Sequence, residues 1–535
     1  MTDTNQVLIY DCTLRDGTQG EQISLSVDDK LRIAEKLDGF GAHYIEGGWP
    51  GSNQKDAEFF ERARTLPWRN SRITAFGSTR HHKNPVEKDP NVAALLEAGT
   101  PAVTVVGKTW DFHVECALGT TLEKNLEMIR DTVGYLKEHG REVIFDAEHF
   151  FDGYAANPRY AKSVLRTARD AGADWIVLCD TNGGSLPSAV EPLANQLSPE
   201  FPALGIHTHN DCELGVANSL AAVQGGARMV QGTMNGYGER SGNANLCSII
   251  PLLELKLGKT TVGPERLKGL TSLAYFVAET ANMVLPNNLP FVGKSSFAHK
   301  GGIHVSAINK DPKTYEHIDP AAIGNARRVL VSDLSGRSNL LYKIREFGDL
   351  DAEDVDLKGL LERIKQLEYE GYQFEGAEGS LKLLIHRYAH HQCEAPFSFH
   401  GFRILVDENH KGQFVSEATV KVNVGGEEEH TVSDGEGPVH AMDRAVRKAL
   451  VRFFPEIEEV RLVDYKVRVL DARRGTGAQV RVLIESTDGK ESWNTIGVSP
   501  NVMEASYRAI IDSVMYKLLF ASPRLKKIVA KPTTA

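Results

Sequence analysis

Between residue 7 and about residue 257 the chain alternates short, apolar, β-branched runs with longer segments in which apolar positions recur every three or four residues. Short runs of that kind fit strands buried on both faces, and the longer period fits helices with one apolar stripe. The spacing predicts strands over 7–10, 43–46, 73–76, 102–106, 142–146, 175–179, 203–207 and 228–231. Helical segments lie between them, among them 26–40, 122–139, 160–171 and 214–224, most preceded by a Ser, Thr, Asn or Asp able to cap. Eight βα units in about 250 residues is the size of a TIM (β/α)8 barrel. A doubly wound sheet is the rival, but no Gly-x-Gly-x-x-Gly follows the first strand.

Past the barrel the pattern changes. Residues 267–285 have helical period, a Pro- and Gly-containing loop covers 285–293, and 352–392 are charged with a helical stripe, as in a second helical layer. From about Ala395-Pro396 an internal repeat begins. Glu417-Ala-Thr-Val-Lys-Val-Asn-Val and then Gly435-Glu-Gly-Pro438 match Ala478-Gln-Val-Arg-Val-Leu-Ile and then Gly497-Val-Ser-Pro500, the prolines standing 62 residues apart. Each half reads as alternating strands, a turn that ends in proline, and an amphipathic helix. The expected α/β chain is therefore a barrel over 1–265, linker subdomains over 266–394, and a C-terminal α+β domain over 395–535 with a two-fold repeat. A pair of related halves suits a ligand bound between them.

Composition narrows the function. With 41% hydrophobic and 25% charged residues the chain is ordinary for a soluble protein, and 535 residues exceed what one core accommodates. A net charge of −10 argues against nucleic acid or an anionic membrane as the main partner and favours a small molecule. Six cysteines without paired spacing point to a reduced, cytoplasmic setting. The N-terminus lacks a basic region followed by an apolar core, and no run of 18 apolar residues occurs, so neither secretion nor a membrane span is expected.

Chemistry collects where the predicted strands end, which in a TIM barrel is one mouth. Arg15-Asp16 follows strand 1, Glu46-Gly-Gly-Trp49 strand 2, Asp146-Ala-Glu148-His149 strand 5, Asp180-Thr181 strand 6, His207-Thr-His209-Asn-Asp211 strand 7, and 235–243 strand 8. Residues two apart in a strand share a face, so His207 and His209 converge on one point, and Asp16 is the obvious carboxylate to join them. Two imidazoles and a carboxylate form a site for one divalent ion, with Mn, Mg, Zn and Co all open. Arg15 beside them either stabilises a developing oxyanion or serves as a structural partner for a nearby carboxylate. A ferrous oxygenase could use the same three ligands, but such a site does not predict Arg15.

Asp11-Cys-Thr-Leu-Arg-Asp-Gly-Thr-Gln19, the His207-Thr-His-Asn-Asp211 block and Gly236-Tyr-Gly-Glu-Arg-Ser-Gly-Asn243 resemble the acyl-CoA Claisen-condensing branch of the DRE-TIM metallolyases, which holds the isopropylmalate, homocitrate and citramalate synthases. Within it, Glu46-Gly-Gly-Trp-Pro-Gly-Ser-Asn-Gln-Lys-Asp56 and Thr314-Tyr-Glu-His-Ile-Asp-Pro320 resemble the citramalate synthases in particular. Phe297-Ala-His-Lys-Gly-Gly-Ile-His304 resembles the linker motif whose last histidine enters an active site, and the C-terminal repeat resembles the allosteric dimer domain that binds an end-product amino acid.

The resemblance implies a Claisen condensation of acetyl-CoA with pyruvate, thioester hydrolysis, and citramalate made for isoleucine synthesis. Longer 2-oxo acids, as in isopropylmalate or homocitrate synthesis, are the alternative; a lyase running the cleavage or an amino-acid sensor without catalysis is further off. It implies Glu148 and His304 for proton removal, Tyr315 near the thioester and Thr181 on the keto acid. Asn243 would stand near the ion as a weaker or outer ligand, or else cap the next helix, and Tyr315 would otherwise be a packing aromatic. His149 stands where many relatives carry aspartate. The family's linker reaches over a partner's barrel, which implies a homodimer, and isoleucine is the implied effector. Trp49 either narrows the mouth against longer keto acids or packs in the core.

Overall fold

The computed structural model describes residues 5–348, 355–389, 395–408, 412–470 and 477–521, so the expectations that fall on Cys393 and on the ends of 352–392 lie outside the described residues. It divides into two compact units, residues 1–297 with 316–327, and 298–315 with 328–535.

The first unit is a closed barrel of eight parallel strands in sequential order. They are β1 Leu8–Asp11, β2 Tyr44–Gly48, β3 Arg72–Ser78, β4 Ala102–Lys108, β5 Glu142–Glu148, β6 Trp175–Asp180, β7 Leu204–Thr208 and β8 Met229–Gly232. β8 closes on β1 with Ile9 opposite Val230. All eight expected strands are present, most of them extended by one or two polar residues at the C-terminal end, because each run of apolar residues continues into the mouth before it turns. Caps start the helices: Ser26 accepts from Asp29 N, and the Asp29 carboxylate accepts in return from Ser26 N, at the head of Val27–Phe40. The first-unit core joins strands to helices through residues such as Ile9, Ile33, Ile45, Phe59 and Phe145, all at most 1% exposed.

The second unit opens with the short parallel pair β9 Ala298–His299 and β10 Arg328–Val329, and the helix Gly302–Ile308 carries His304. Helices Leu357–Tyr369 and Glu378–Ala389 form the charged layer expected there. Two antiparallel three-stranded sheets follow, β11 Ser398–Glu408, β12 Phe414–Val424 and β13 Glu427–Gly435, then β14 Arg461–Val469, β15 Val480–Thr487 and β16 Ser492–Ser499. Each is covered by one helix, Pro438–Val451 and Val502–Tyr516, and the two halves share one core.

The repeat is present, but its register differs from the proline spacing. Thr431 donates to Ala445 O, and Thr495, 64 residues on, donates to Ala509 O. Buried Ala418, Val420 and Ala441 recur at the same interval as Val482, Ile484 and Ala505. Pro438 is the first residue of its helix, whereas Pro500 precedes the cap Asn501, so the two prolines are not equivalent. Proline tolerates both places, since neither asks for its missing N–H.

Candidate active site

At the end of β1 the buried Asp11 carboxylate accepts from Thr13 N at 2.9 Å and Thr13 Oγ1 at 3.0 Å, and Gly17 N donates to Cys12 O at 3.0 Å. That turn aims Arg15 and Asp16 inward. Burial pushes the Asp11 carboxyl up to about 7 against the pull of the Thr13 bonds, so its role is to shape the turn. Arg15 donates from Nε to Glu46 Oε2 at 2.6 Å and from Nη1 to Asp16 Oδ2 at 2.9 Å, and lies 3.8 Å over the Phe76 ring. Glu46 is held in turn by Tyr10, whose hydroxyl donates at 2.7 Å. Arg15 does have the carboxylate partners of a structural arginine, yet it also lines the mouth cavity.

Asp16, His207 and His209 are all buried and bring their ligand atoms within 4.8 Å of one another. The imidazoles lie 5.3 Å apart, and His207 Nε2 is 3.5 Å from Asp16 Oδ2. Burial works to raise the Asp16 carboxyl, but the Arg15 guanidinium above all, with the Asn243 hydrogen bond, holds it well below the usual carboxylate range. Burial, then His207, lowers His209 to about 4, which leaves it a neutral imidazole. Gln231 fixes the other ring. Its amide donates to Asp146 Oδ1 at 2.9 Å, so Oε1 faces His207 Nδ1 at 2.7 Å as an acceptor. His207 therefore carries its proton on Nδ1 and offers Nε2 to the centre of the group.

Asn243 Nδ2 donates to Asp16 Oδ1 at 3.1 Å, and the backbone of Asn243 bridges that of His209. The cap of the next helix is Asn245, not Asn243, so the capping alternative does not hold. Two buried atoms meet no hydrogen-bond partner here, His209 Nδ1 and Asn243 Oδ1. Both stand beside the clustered carboxylate and imidazoles, and this oxygen and nitrogen donor set fits a divalent ion. The loop that brings Asn243 in requires glycine: at Gly238, φ +151°, a Cβ would fall 2.2 Å from Asn243 Nδ2, and at Gly242, φ +88°, 2.0 Å from Gly236 O.

The mouth encloses a cavity of about 380 Å³ lined by Arg15, Asp16, both histidines, Glu148 and Thr181 among others. Glu148, the last residue of β5, pairs with Lys108 of β4. Thr181 Oγ1 accepts from His149 N at 2.9 Å, which leaves its own proton free to donate. His149 has left-handed backbone, φ 55°, and its ring lies 4.1 Å from that of His113, the two tilted by 53°. Trp49 is half-buried on the cavity wall, pinned by Nε1 to Asn91 Oδ1 at 2.8 Å and edge-on to Phe76 at 5.4 Å. The glycines before it serve packing, since a Cβ on Gly47 would strike Phe59 at 2.1 Å. In the second unit, exposed His304 and Tyr315 lie ring to ring at 4.2 Å.

Gln231 and Lys108 carried no expectation from the sequence. Gln231 is a fully buried polar residue in the short apolar strand β8, and Lys108 ends β4 in line with the other strand ends. Those are the signals that could have found them.

A parallel barrel that gathers an arginine, carboxylates and paired imidazoles at one mouth has the form of a TIM-barrel enzyme, and the HMGL-like family matches residues 6–273. The Homocitrate synthase post-HMGL domain-like family matches 291–371, and the LeuA allosteric (dimerisation) domain matches 375–518. The chain is 56% identical to the (R)-citramalate synthase of Aquifex aeolicus over 96% of this chain and 98% of that one. It is 54% identical to the (R)-citramalate synthase of Geobacter sulfurreducens, over 96% and 97%. Identity to the Probable 2-isopropylmalate synthase of Methanopyrus kandleri is 31%, over 95% and 98%. The chain belongs to the (R)-citramalate synthase family of HMGL-like acyltransferases.

Proposed function

We propose that the chain joins the methyl carbon of acetyl-CoA to the keto carbon of pyruvate and hydrolyses the thioester, releasing citramalate and CoA toward isoleucine. The observation that carries this reading is the buried group of Asp16, His207 and His209 in one cavity with Arg15, Glu148 and Thr181. Asp16, His207 and His209, with Asn243 beside them, would hold a divalent ion, which when bound would supply Lewis-acid polarisation of the keto group. Thr181 donates to the keto acid, and Arg15, locked by Glu46 and Asp16, faces the oxygen on which charge develops. Glu148 takes the methyl proton, and His304 and Tyr315 complete the acetyl side from a partner subunit's linker.

Two features of the second unit support a homodimer. The edge strand β14 exposes Val463, Val467 and Val469 at 59%, 47% and 53%, and the LeuA dimerisation domain covers it. Isoleucine is the effector we propose for that domain, with a cytoplasmic setting. No helix among the described residues is long and apolar enough to cross a membrane.

Trp49 sets the choice of keto acid. A wall fixed by Asn91 and Phe76 rejects bulk beyond the keto carbon, whereas an added methylene in an apolar pocket changes affinity by only about 1–3 kcal/mol. Steady-state kinetics with pyruvate, 2-oxoisovalerate and 2-oxoglutarate, each with and without isoleucine, test the reading. Pyruvate should give the highest kcat/KM and isoleucine should slow turnover; a higher value for either longer acid sinks the citramalate assignment.

A further inference from the structure

In the barrel register Lys108 of β4 stands directly opposite Glu148 of β5, and the ammonium of the one closes on Oε2 of the other. Both side chains open on the mouth cavity and are 24% and 23% exposed. A partly buried ion pair is weak evidence for stability, because the cost of desolvating both charges offsets their attraction, so stability alone does not account for placing a cation against the candidate base. Enolisation of a thioester makes two demands at once. A base must reach the methyl carbon, and positive charge must meet the carbonyl oxygen two bonds away, where the electron pair comes to rest. Arg15 is committed to Glu46 and Asp16 on the keto-acid side. The neighbouring ring, His113, brings no fixed charge, because burial, then His149 and Lys108, lower it from its ordinary value. Lys108 is the cation beside Glu148.

We propose that Lys108 is a catalytic residue of the condensation, its ammonium leaving Glu148 for the thioester carbonyl oxygen when acetyl-CoA binds and stabilising the enolate there. The proposal rests on Glu148 as the base. The methyl C–H breaks, its proton goes to a Glu148 carboxylate oxygen, its electron pair becomes the new C=C π bond, and the carbonyl π pair moves onto the thioester oxygen, which accepts from Lys108 Nζ. The oxygen pair then reforms the C=O bond as the C=C π pair forms the carbon–carbon bond to the keto carbon, whose own π pair passes to the keto oxygen. The ion pair keeps the two groups together, and the substrate carbonyl divides them into a base and an oxyanion donor.

The test uses the full-length, metal-loaded enzyme and carboxymethyl-CoA, a thioether with a permanent carboxylate near where the enolate oxygen forms. K108M should lower kcat by about 10²–10³-fold, the usual loss for one oxyanion donor. It should also weaken carboxymethyl-CoA at least tenfold while leaving CoA itself and the metal content unchanged. K108R, which keeps a cation, should recover at least tenfold of the lost kcat and most of the analogue affinity, and E148Q should lose kcat with the analogue still bound. A K108M enzyme within threefold of the wild-type kcat overturns the proposal, as does unchanged analogue affinity, which would leave Lys108 merely positioning Glu148. A K108R enzyme no better than K108M overturns it too. An active E148Q enzyme refutes the base reading instead, so the two failures are distinguishable.

Discussion

In the C-terminal repeat, Thr431 and Thr495 are 7% and 0% exposed, and each hydroxyl donates to a helix carbonyl, at 2.9 and 2.7 Å. At the barrel mouth, His209 and Asn243 are buried as deeply, at 7% and 1%, yet His209 Nδ1 and Asn243 Oδ1 meet no protein partner. Burying a polar group without a partner costs about 1–3 kcal/mol, so a fold tolerates it where something else supplies the partner. These two hydroxyls lock helix to sheet in the repeat, whereas at the mouth two buried polar atoms stand open. What sets the mouth atoms apart from unpaired atoms such as Asp443 Oδ1 and Gln479 Oε1 of the repeat is that they stand beside the clustered Asp16, His207 and His209.

The sharpest way to break that contrast is to remove the divalent ion proposed for the mouth. Exhaustive chelation, with metal content verified near zero, should abolish turnover, and adding back a divalent ion should restore it; activity that survives would refute the metal role of Asp16, His207 and His209. Glu148→Gln and His304→Ala should each lower kcat by about 10²–10⁴-fold, the range for a lost proton-transfer group, while metal content stays unchanged. Retained activity in both would remove them from the mechanism. Gln231→Leu frees the His207 ring without touching a ligand atom, and metal affinity in chelator competition should fall by about 10–100-fold, with kcat recovering at saturating metal. An affinity equal to wild type would show that the Gln231 bond does not orient the ring. The smallest effect belongs to the repeat: Thr495→Val should lower unfolding stability by about 1 kcal/mol in denaturant titration and leave kcat/KM as it was. A loss of turnover there would undo the division of labour between the two regions.

Periodicity carried the barrel. The eight strands were legible because their buried, mostly apolar stretches are short and set between helical periods, and the polar residues that follow them were legible as one mouth because parallel strands must end on the same side. His207 and His209 share a face for the same reason, the two-residue period of a strand. The repeat was also visible, but its interval was misread, since Pro438 and Pro500 mark turns of different length and the equivalent residues, Thr431 with Thr495 and Ala441 with Ala505, look unremarkable in the chain.

What the chain alone determines is therefore which residues face inward and in what order their strands close. Tertiary structure decided what those residues meet: that Gln231 stands between Asp146 and His207, that Glu46 locks Arg15, that Asn245 caps the helix and leaves Asn243 to Asp16, and that Lys108 reaches Glu148. Facing is a local property, dictated by backbone period within a few residues. Partnership across the barrel joins side chains such as Asp146 and Gln231, 85 positions apart, and depends on closure of the sheet and on which rotamers survive packing.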